Sequence, residues 1–157
     1  MRRSRRTRAA RMVGVIVATS ALGVTTGTAA FATEVTGTPF ISEIHYDNDG
    51  TDTGEAIEIE APPGFDLSGW KLVLYNGANG AAYDTKTLSG TVPASGVVVQ
   101  TYPENGIQNG SPDGVALVSP TGEVVEFLSY EGTFTAVGGP ANGLSSTDIG
   151  VAETAST

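Results

Sequence analysis

The densest group of potential ligand atoms in this sequence is the acidic stretch D-N-D-G-T-D-T-G-E at residues 47–55. Its carboxylates belong to Asp47, Asp49, Asp52 and Glu55. Calcium is bound by oxygen ligands, and a loop of alternating oxygen side chains with glycine at its sharp turns can supply them. The spacing departs from an EF-hand, because position six is Asp52 instead of glycine. Two hypotheses remain open: a weak Ca²⁺ site, or a solvated turn that connects two strands.

Residue types that carry catalysis are sparse. The sequence has no cysteine and a single histidine, His45, which is a candidate metal ligand beside the acidic stretch but is more typical of a sheet surface. It has no G-x-S-x-G elbow and no glycine-rich nucleotide loop. Five glutamates at outward strand positions could form acid–base pairs for glycoside cleavage, but they are more typical of a solubilising face: Glu43, Glu58, Glu60, Glu126 and Glu131. We therefore predict that the chain is not an enzyme.

Aromatic side chains offer a second kind of binding surface. Trp70 and the tyrosines at 46, 75, 83, 102 and 130 could stack on sugars. Trp70 lies in the apolar sequence L-S-G-W-K-L, which is more typical of a core anchor than of an exposed platform.

The charges are unevenly distributed and indicate export. Six of the eight basic residues lie in the first eleven positions, followed by an apolar segment at 12–24 and an A-F-A cleavage site that ends at Ala32. This pattern predicts a bacterial secretory signal peptide at residues 1–32, exported by Sec or by the twin-arginine route. The remainder has two lysines, no arginine and all 17 acidic residues, a formal charge of −15. Such a chain is expected to bind neither nucleic acid nor an anionic membrane.

The sequence predicts that these residues lie on or between short strands, which are separated by Gly, Pro, Asn-Gly and Asp-Gly turns. In the sequence E-A-I-E-I-E at 55–60, the isoleucines and the last two glutamates alternate with a period of two. This period is expected of a strand in a sheet with one solvent-exposed face. We predict strands at 40–46, 56–60, 67–75, 86–89, 97–102, 115–118 and 124–130. Strands at this spacing predict an all-β sandwich or barrel over residues 33–138, followed by a loose tail at 139–157. The predicted core comprises Ile57, Ile59, Trp70, Leu72, Leu74, Val115, Leu117 and Phe127.

Three segments resemble the lamin tail domain family: ISEIHYDNDGTDTGEAIEI, DLSGWKLVLYNG and DGVALVSPTGEVVEFLSYEG. The most specific element is D-L-S-G-W-K-L at 66–72, and the resemblance extends from about residue 40 to 130. The segments NGIQNGSPDGVALV, FLSYEGTFTA and GLSSTDIGVAE resemble the copy that precedes secreted bacterial nucleases of the endonuclease/exonuclease/phosphatase type. The resemblance implies an immunoglobulin-like β-sandwich with a non-catalytic role in binding or positioning.

Two functions are therefore predicted. In the first, the chain is a secreted binding module whose partner is a protein, a glycan or another cell-surface ligand. In the second, it is the N-terminal accessory part of a secreted nuclease, because the family pattern would continue beyond Thr157 with a further aromatic strand and a P-G-x-x-N closing element.

Overall fold

The computed structural model describes residues 36–153, so the predicted signal peptide lies outside the described residues. Within this range the chain forms eight strands and no helix. Accordingly, none of the described residues forms a helix that could cross a membrane. The strands are β1 (Phe40–His45), β2 (Ala56–Glu60), β3 (Lys71–Asn76), β4 (Ala81–Thr87), β5 (Val97–Thr101), β6 (Asp113–Val118), β7 (Val124–Tyr130) and β8 (Thr147–Asp148).

These strands form the two sheets of a β-sandwich. One sheet has the order β1-β2-β5 and the other the order β4-β3-β6-β7-β8. All neighbouring strands are antiparallel except β7 and β8, which are parallel. The predicted strands at 56–60 and 124–130 are confirmed with their bounds, whereas β4 begins at Ala81, five residues before the predicted start. The all-β fold class is confirmed.

The main core lies between the two sheets. Ile57 and Ile59 of β2 are fully buried, and the intervening Glu58 faces outward, as the period of two predicts. Seven of the eight predicted core residues belong to this cluster: Ile57, Ile59, Trp70, Leu72, Leu74, Val115 and Leu117. Trp70 precedes β3 and packs edge-on against Phe65, with 5.9 Å between the ring centroids. The prediction that Trp70 is a core anchor is therefore confirmed.

The prediction is wrong for the eighth core residue, Phe127, which lies on the face of β7 that points away from the main core. In the β6–β7 register Phe127 pairs with Ala116, and Leu128 pairs with Val115. Leu128 therefore faces the main core, and Phe127 belongs to a second cluster on the outer face of the five-stranded sheet, with Val73 and Tyr75. Because β7 is apolar on both faces, its sequence did not indicate which face meets the other sheet.

The segment after β7 covers this second cluster, so the prediction of a loose tail after residue 138 is wrong for the described residues. Ala141 is fully buried in the cluster, and its N–H donates to the Tyr75 hydroxyl at 3.0 Å. Gly139 allows this close approach, since a Cβ there would lie 2.5 Å from the same hydroxyl oxygen. Small residues are typical of loops, but here they let the backbone pack directly on the outer face of the sheet.

Candidate functional site

The four predicted metal ligands lie in the β1–β2 loop and have very different environments. Asp49 is exposed and Asp47 is half-buried. Asp52 is 5% exposed and Glu55 is completely buried. An ionised carboxylate is costly to bury unless hydrogen bonds compensate for the lost water. The partners of Asp52 and Glu55 therefore determine what this loop does.

Glu55 binds the backbone of the β5–β6 loop. Its Oε2 accepts a hydrogen bond from Gly106 N at 2.7 Å, and its Oε1 accepts one from Ile107 N at 2.8 Å. Its carbonyl oxygen also accepts from Tyr102 N at 2.9 Å. Hydrogen bonds to an ionised carboxylate are shorter and stronger than neutral ones. Glu55 thus joins two loops that are about fifty residues apart in the chain.

Asp52 ties the same two loops together nearer the surface. Its Oδ1 accepts from Asn48 N at 2.9 Å within its own loop, and its Oδ2 accepts from Asn109 Nδ2 at 3.1 Å. The same Asn109 Nδ2 also donates to Asp47 Oδ1 at 3.2 Å. Asp47 and Asp52 therefore share one donor, and the structure brings these two of the four predicted residues together.

Asp113, at the start of β6, extends the network to the β3–β4 turn. Its Oδ1 accepts from Gly77 N and its Oδ2 from Gly110 N, both at 2.8 Å. Burial raises the pKa of Asp113 above its ordinary value, and the two backbone donors oppose this rise. One carboxylate thus connects the turn that follows β3 to the loop that precedes β6.

The three loops line a shallow, open cavity of about 360 Å³ at one end of the sandwich. We call this end the polar loop face; it comprises the loops at 46–55, 77–80 and 102–112, with Asn76. Its cavity is lined by Asp52, Asn76, Asn105, Ile107, Gln108, Asn109, Gly110 and Asp113. The four amides were not among the predicted site residues, because Asn-Gly pairs are typical of turns. The dense sequence N-G-I-Q-N-G at 105–110 was the available signal.

The calcium hypothesis stays a prediction. Among residues 36–153 no group of three or more histidine, aspartate or glutamate side chains is arranged to hold a metal ion. Glu55 faces the backbone of the neighbouring loop, and Asp49 is exposed, so the four carboxylates do not converge on one point.

His45 pairs with a residue from the far end of the described chain. Its Nδ1 lies 2.8 Å from Glu153 Oε1. The other oxygen of Glu153 accepts from Tyr46 N and from Asp47 N, and Glu153 N donates to the Tyr46 hydroxyl at 2.8 Å. The second ring nitrogen of His45, Nε2, lies 3.2 Å from Asn48 Nδ2. The residue proposed as a metal ligand therefore has a structural partner that fastens the C-terminal segment to β1.

The His45–Glu153 pair predicts a pH dependence. The hydrogen bond with Glu153 raises the pKa of His45 above 6.5, so the imidazolium is favoured in the folded state. The His45–Glu153 pair therefore stabilises the folded state fully at a pH below 6.5, the pKa of the histidine in the unfolded chain. This stabilisation is lost as the pH rises through the higher pKa of His45 in the folded state. We expect an NMR titration of this single histidine to give a pKa above 6.5 that falls in Glu153→Gln. A pKa that is equal in both proteins would contradict the assignment.

The tyrosines are mostly buried and do not form an open stacking platform. Tyr46 stacks on Tyr130, with 3.8 Å between centroids and an interplanar angle of 15°. Burial raises the pKa of Tyr46 to about 12 and raises that of Tyr130 still further. Tyr75 and Tyr102 are also buried. Tyr83 is half-buried, and its hydroxyl accepts from Gln108 N at 2.9 Å below the polar loop face.

Positive charge is scarce on the described surface. Lys86 Nζ pairs with Asp84 at 2.8 Å and also lies 5.3 Å from the centre of the Tyr102 ring. Lys86 and Asp84 both lie on β4, and the lining of the polar loop face contains no lysine or arginine.

Comparisons with family models, with curated proteins and with solved structures found no match. The resemblance to the lamin tail domain therefore remains a prediction from the sequence.

Proposed function

We propose that this chain is an exported, non-catalytic module with an immunoglobulin-like β-sandwich of the lamin-tail type, and that it binds a cell-surface partner through the polar loop face. The two-sheet architecture and the three sequence segments quoted above support the fold assignment. The arginine-rich start, the apolar segment and the A-F-A site support export.

The observation that carries the proposal is the hydrogen bonding that joins the loops of this face. Loops from both sheets meet there, and they are tied by the buried carboxylates of Asp52, Glu55 and Asp113. A surface that is ordered before binding loses less conformational entropy when a partner arrives. In β-sandwich proteins the loops at one end are the usual place for variable binding residues.

The charge of the domain narrows the class of partner. Asp47, Asp52 and Asp113 lie on or beneath the polar loop face. A nucleic-acid backbone or an anionic membrane would be repelled by these carboxylates. A cell-surface protein or glycan without net negative charge meets no such barrier.

The test is binding of fluorescently labelled residues 33–157, which contain every described strand and both cores, to intact cells of the source organism. We expect saturable binding that is lost in Asn109→Ala and retained in Thr121→Ala. Asn109 lies on the polar loop face, and Thr121 lies in the β6–β7 turn at the opposite end of the sandwich. Melting temperatures of both variants report whether the fold is intact. Binding that is absent, or equal in the two variants, would refute the proposal.

A further inference from the structure

The amide groups of the polar loop face have orientations that can be deduced from their partners. An amide oxygen accepts and an amide nitrogen donates, so each side chain with a known partner leaves one known group free. We propose that the cavity binds a neutral polyhydroxylated ligand, the hydroxyl groups of a sugar. This inference rests on the proposed function, because it uses the same face.

The first free donor belongs to Gln108. Asn76 Oδ1 accepts from Ala78 N at 2.9 Å, which directs Asn76 Nδ2 to Gln108 Oε1 at 2.7 Å. Gln108 Oε1 is therefore occupied, and its Nε2 has no partner among the described residues. The Gln108 backbone is held on both sides, because its N–H donates to the Tyr83 hydroxyl and its carbonyl accepts from the Tyr130 hydroxyl.

Asn105 and Asn109 contribute a second donor and an acceptor. Asn105 Oδ1 accepts from Asp52 N at 3.3 Å, which leaves its Nδ2 free within the described chain. Asn109 Nδ2 donates to two carboxylates, Asp47 and Asp52, so its Oδ1 must face away from them. The cavity therefore presents amide donors from Gln108 and Asn105 and an amide acceptor from Asn109, beside the Asp52 carboxylate.

This combination selects a neutral ligand with hydroxyl groups. A hydroxyl both donates and accepts, so adjacent hydroxyls can satisfy the Asn109 acceptor and the Gln108 and Asn105 donors together. An anion could use only the donors and would be repelled by Asp52 and Asp113. A cation would be attracted by the carboxylates but would face two N–H donors. Gln108 is half-buried and Asn105 and Asn109 are exposed, so these groups are accessible to a ligand, and a ligand that satisfies all of them is favoured over one that leaves some unpaired.

The size of the cavity agrees with a small saccharide unit. Its volume of about 360 Å³ lies near the lower end of the usual range for small-molecule sites, roughly 300–1,000 Å³. Ile107 also lines the cavity, but its side chain is 2% exposed and belongs to the main core, so the contacts with a sugar would come from the polar groups.

The experiment is a titration of ¹⁵N-labelled residues 33–157 with cellobiose, trehalose and N,N′-diacetylchitobiose, with glucuronate and CaCl₂ as charged comparators. We expect saturable shifts of the side-chain NH₂ signals of Asn105 and Gln108 with at least one neutral disaccharide. Gln108→Glu replaces the free donor by an acceptor and is expected to weaken this binding about tenfold or more. Gln100→Glu makes the same chemical change on β5 and is expected to leave it unchanged.

Shifts with none of the three disaccharides, or equal binding by Gln108→Glu and wild type, would overturn the inference. A response to glucuronate or CaCl₂ alone would overturn it as well, because the site would then select charge. The cell-binding test separates this failure from failure of the proposed function: if cell binding still depends on Asn109 while the sugars do not bind, the polar loop face binds a partner of another class.

Discussion

Replacing Trp70 by alanine is expected to lower the free energy of unfolding by about 3–5 kcal/mol, the usual cost of truncating a buried aromatic residue. The side chain is 8% exposed and belongs to the cluster between the two sheets, where it packs on Phe65. The truncation would leave a cavity that the strands on either side cannot close. Because Trp70 is the only tryptophan, unfolding is best followed by circular dichroism in urea.

Phe40→Ala is the matched control for this prediction. Phe40 begins β1 and is 42% exposed, so truncation of its side chain removes less buried surface than truncation of Trp70. We expect a loss of about 1 kcal/mol or less. A loss below about 1 kcal/mol for Trp70→Ala as well would show that Trp70 does not anchor the core.

Glu55→Gln is expected to destabilise the domain by about 2–3 kcal/mol, although it changes only one oxygen to an NH₂ group. The carboxylate is completely buried and accepts from two backbone N–H groups. Glutamine can accept from one of them, and its own NH₂ would then face the other donor. Hydrogen bonds to charged groups contribute about 1.5–3 kcal/mol each, and a buried donor without an acceptor costs a similar amount.

The control lies three residues further along the chain, on β2. Glu58→Gln makes the same change on the outer face of the sheet, and we expect its stability to stay within about 0.5 kcal/mol of wild type. Amide hydrogen exchange gives a second readout, since Gly106 and Ile107 should exchange faster in Glu55→Gln only. Equal stability of the two variants would mean that Glu55 does not support the polar loop face.

The fold class was predictable from the sequence, because a strand with one solvent-exposed face alternates apolar and polar residues along its length. Ile57 and Ile59 alternate with Glu58 and Glu60, and this pattern admits only one orientation towards the core. Trp70, Leu72 and Leu74 also share the face towards the main core, although the opposite face of β3, with Val73 and Tyr75, is buried in the second cluster. Where both faces of a strand are apolar, as in β7, alternation indicates which residues share a face but not which face meets the other sheet. Only the pairing of Phe127 with Ala116 decided that.

Tertiary structure decided the chemistry of the candidate site. The acidic stretch predicted a calcium loop or a solvated turn, and neither hypothesis included the partners that Glu55 and Asp52 find some fifty residues later. The direction of each amide likewise depends on loops that meet only in the folded chain. Composition and spacing report which groups a segment contains. A hydrogen bond between distant loops also requires their relative position, and that is determined by how the two sheets pack around a shared core.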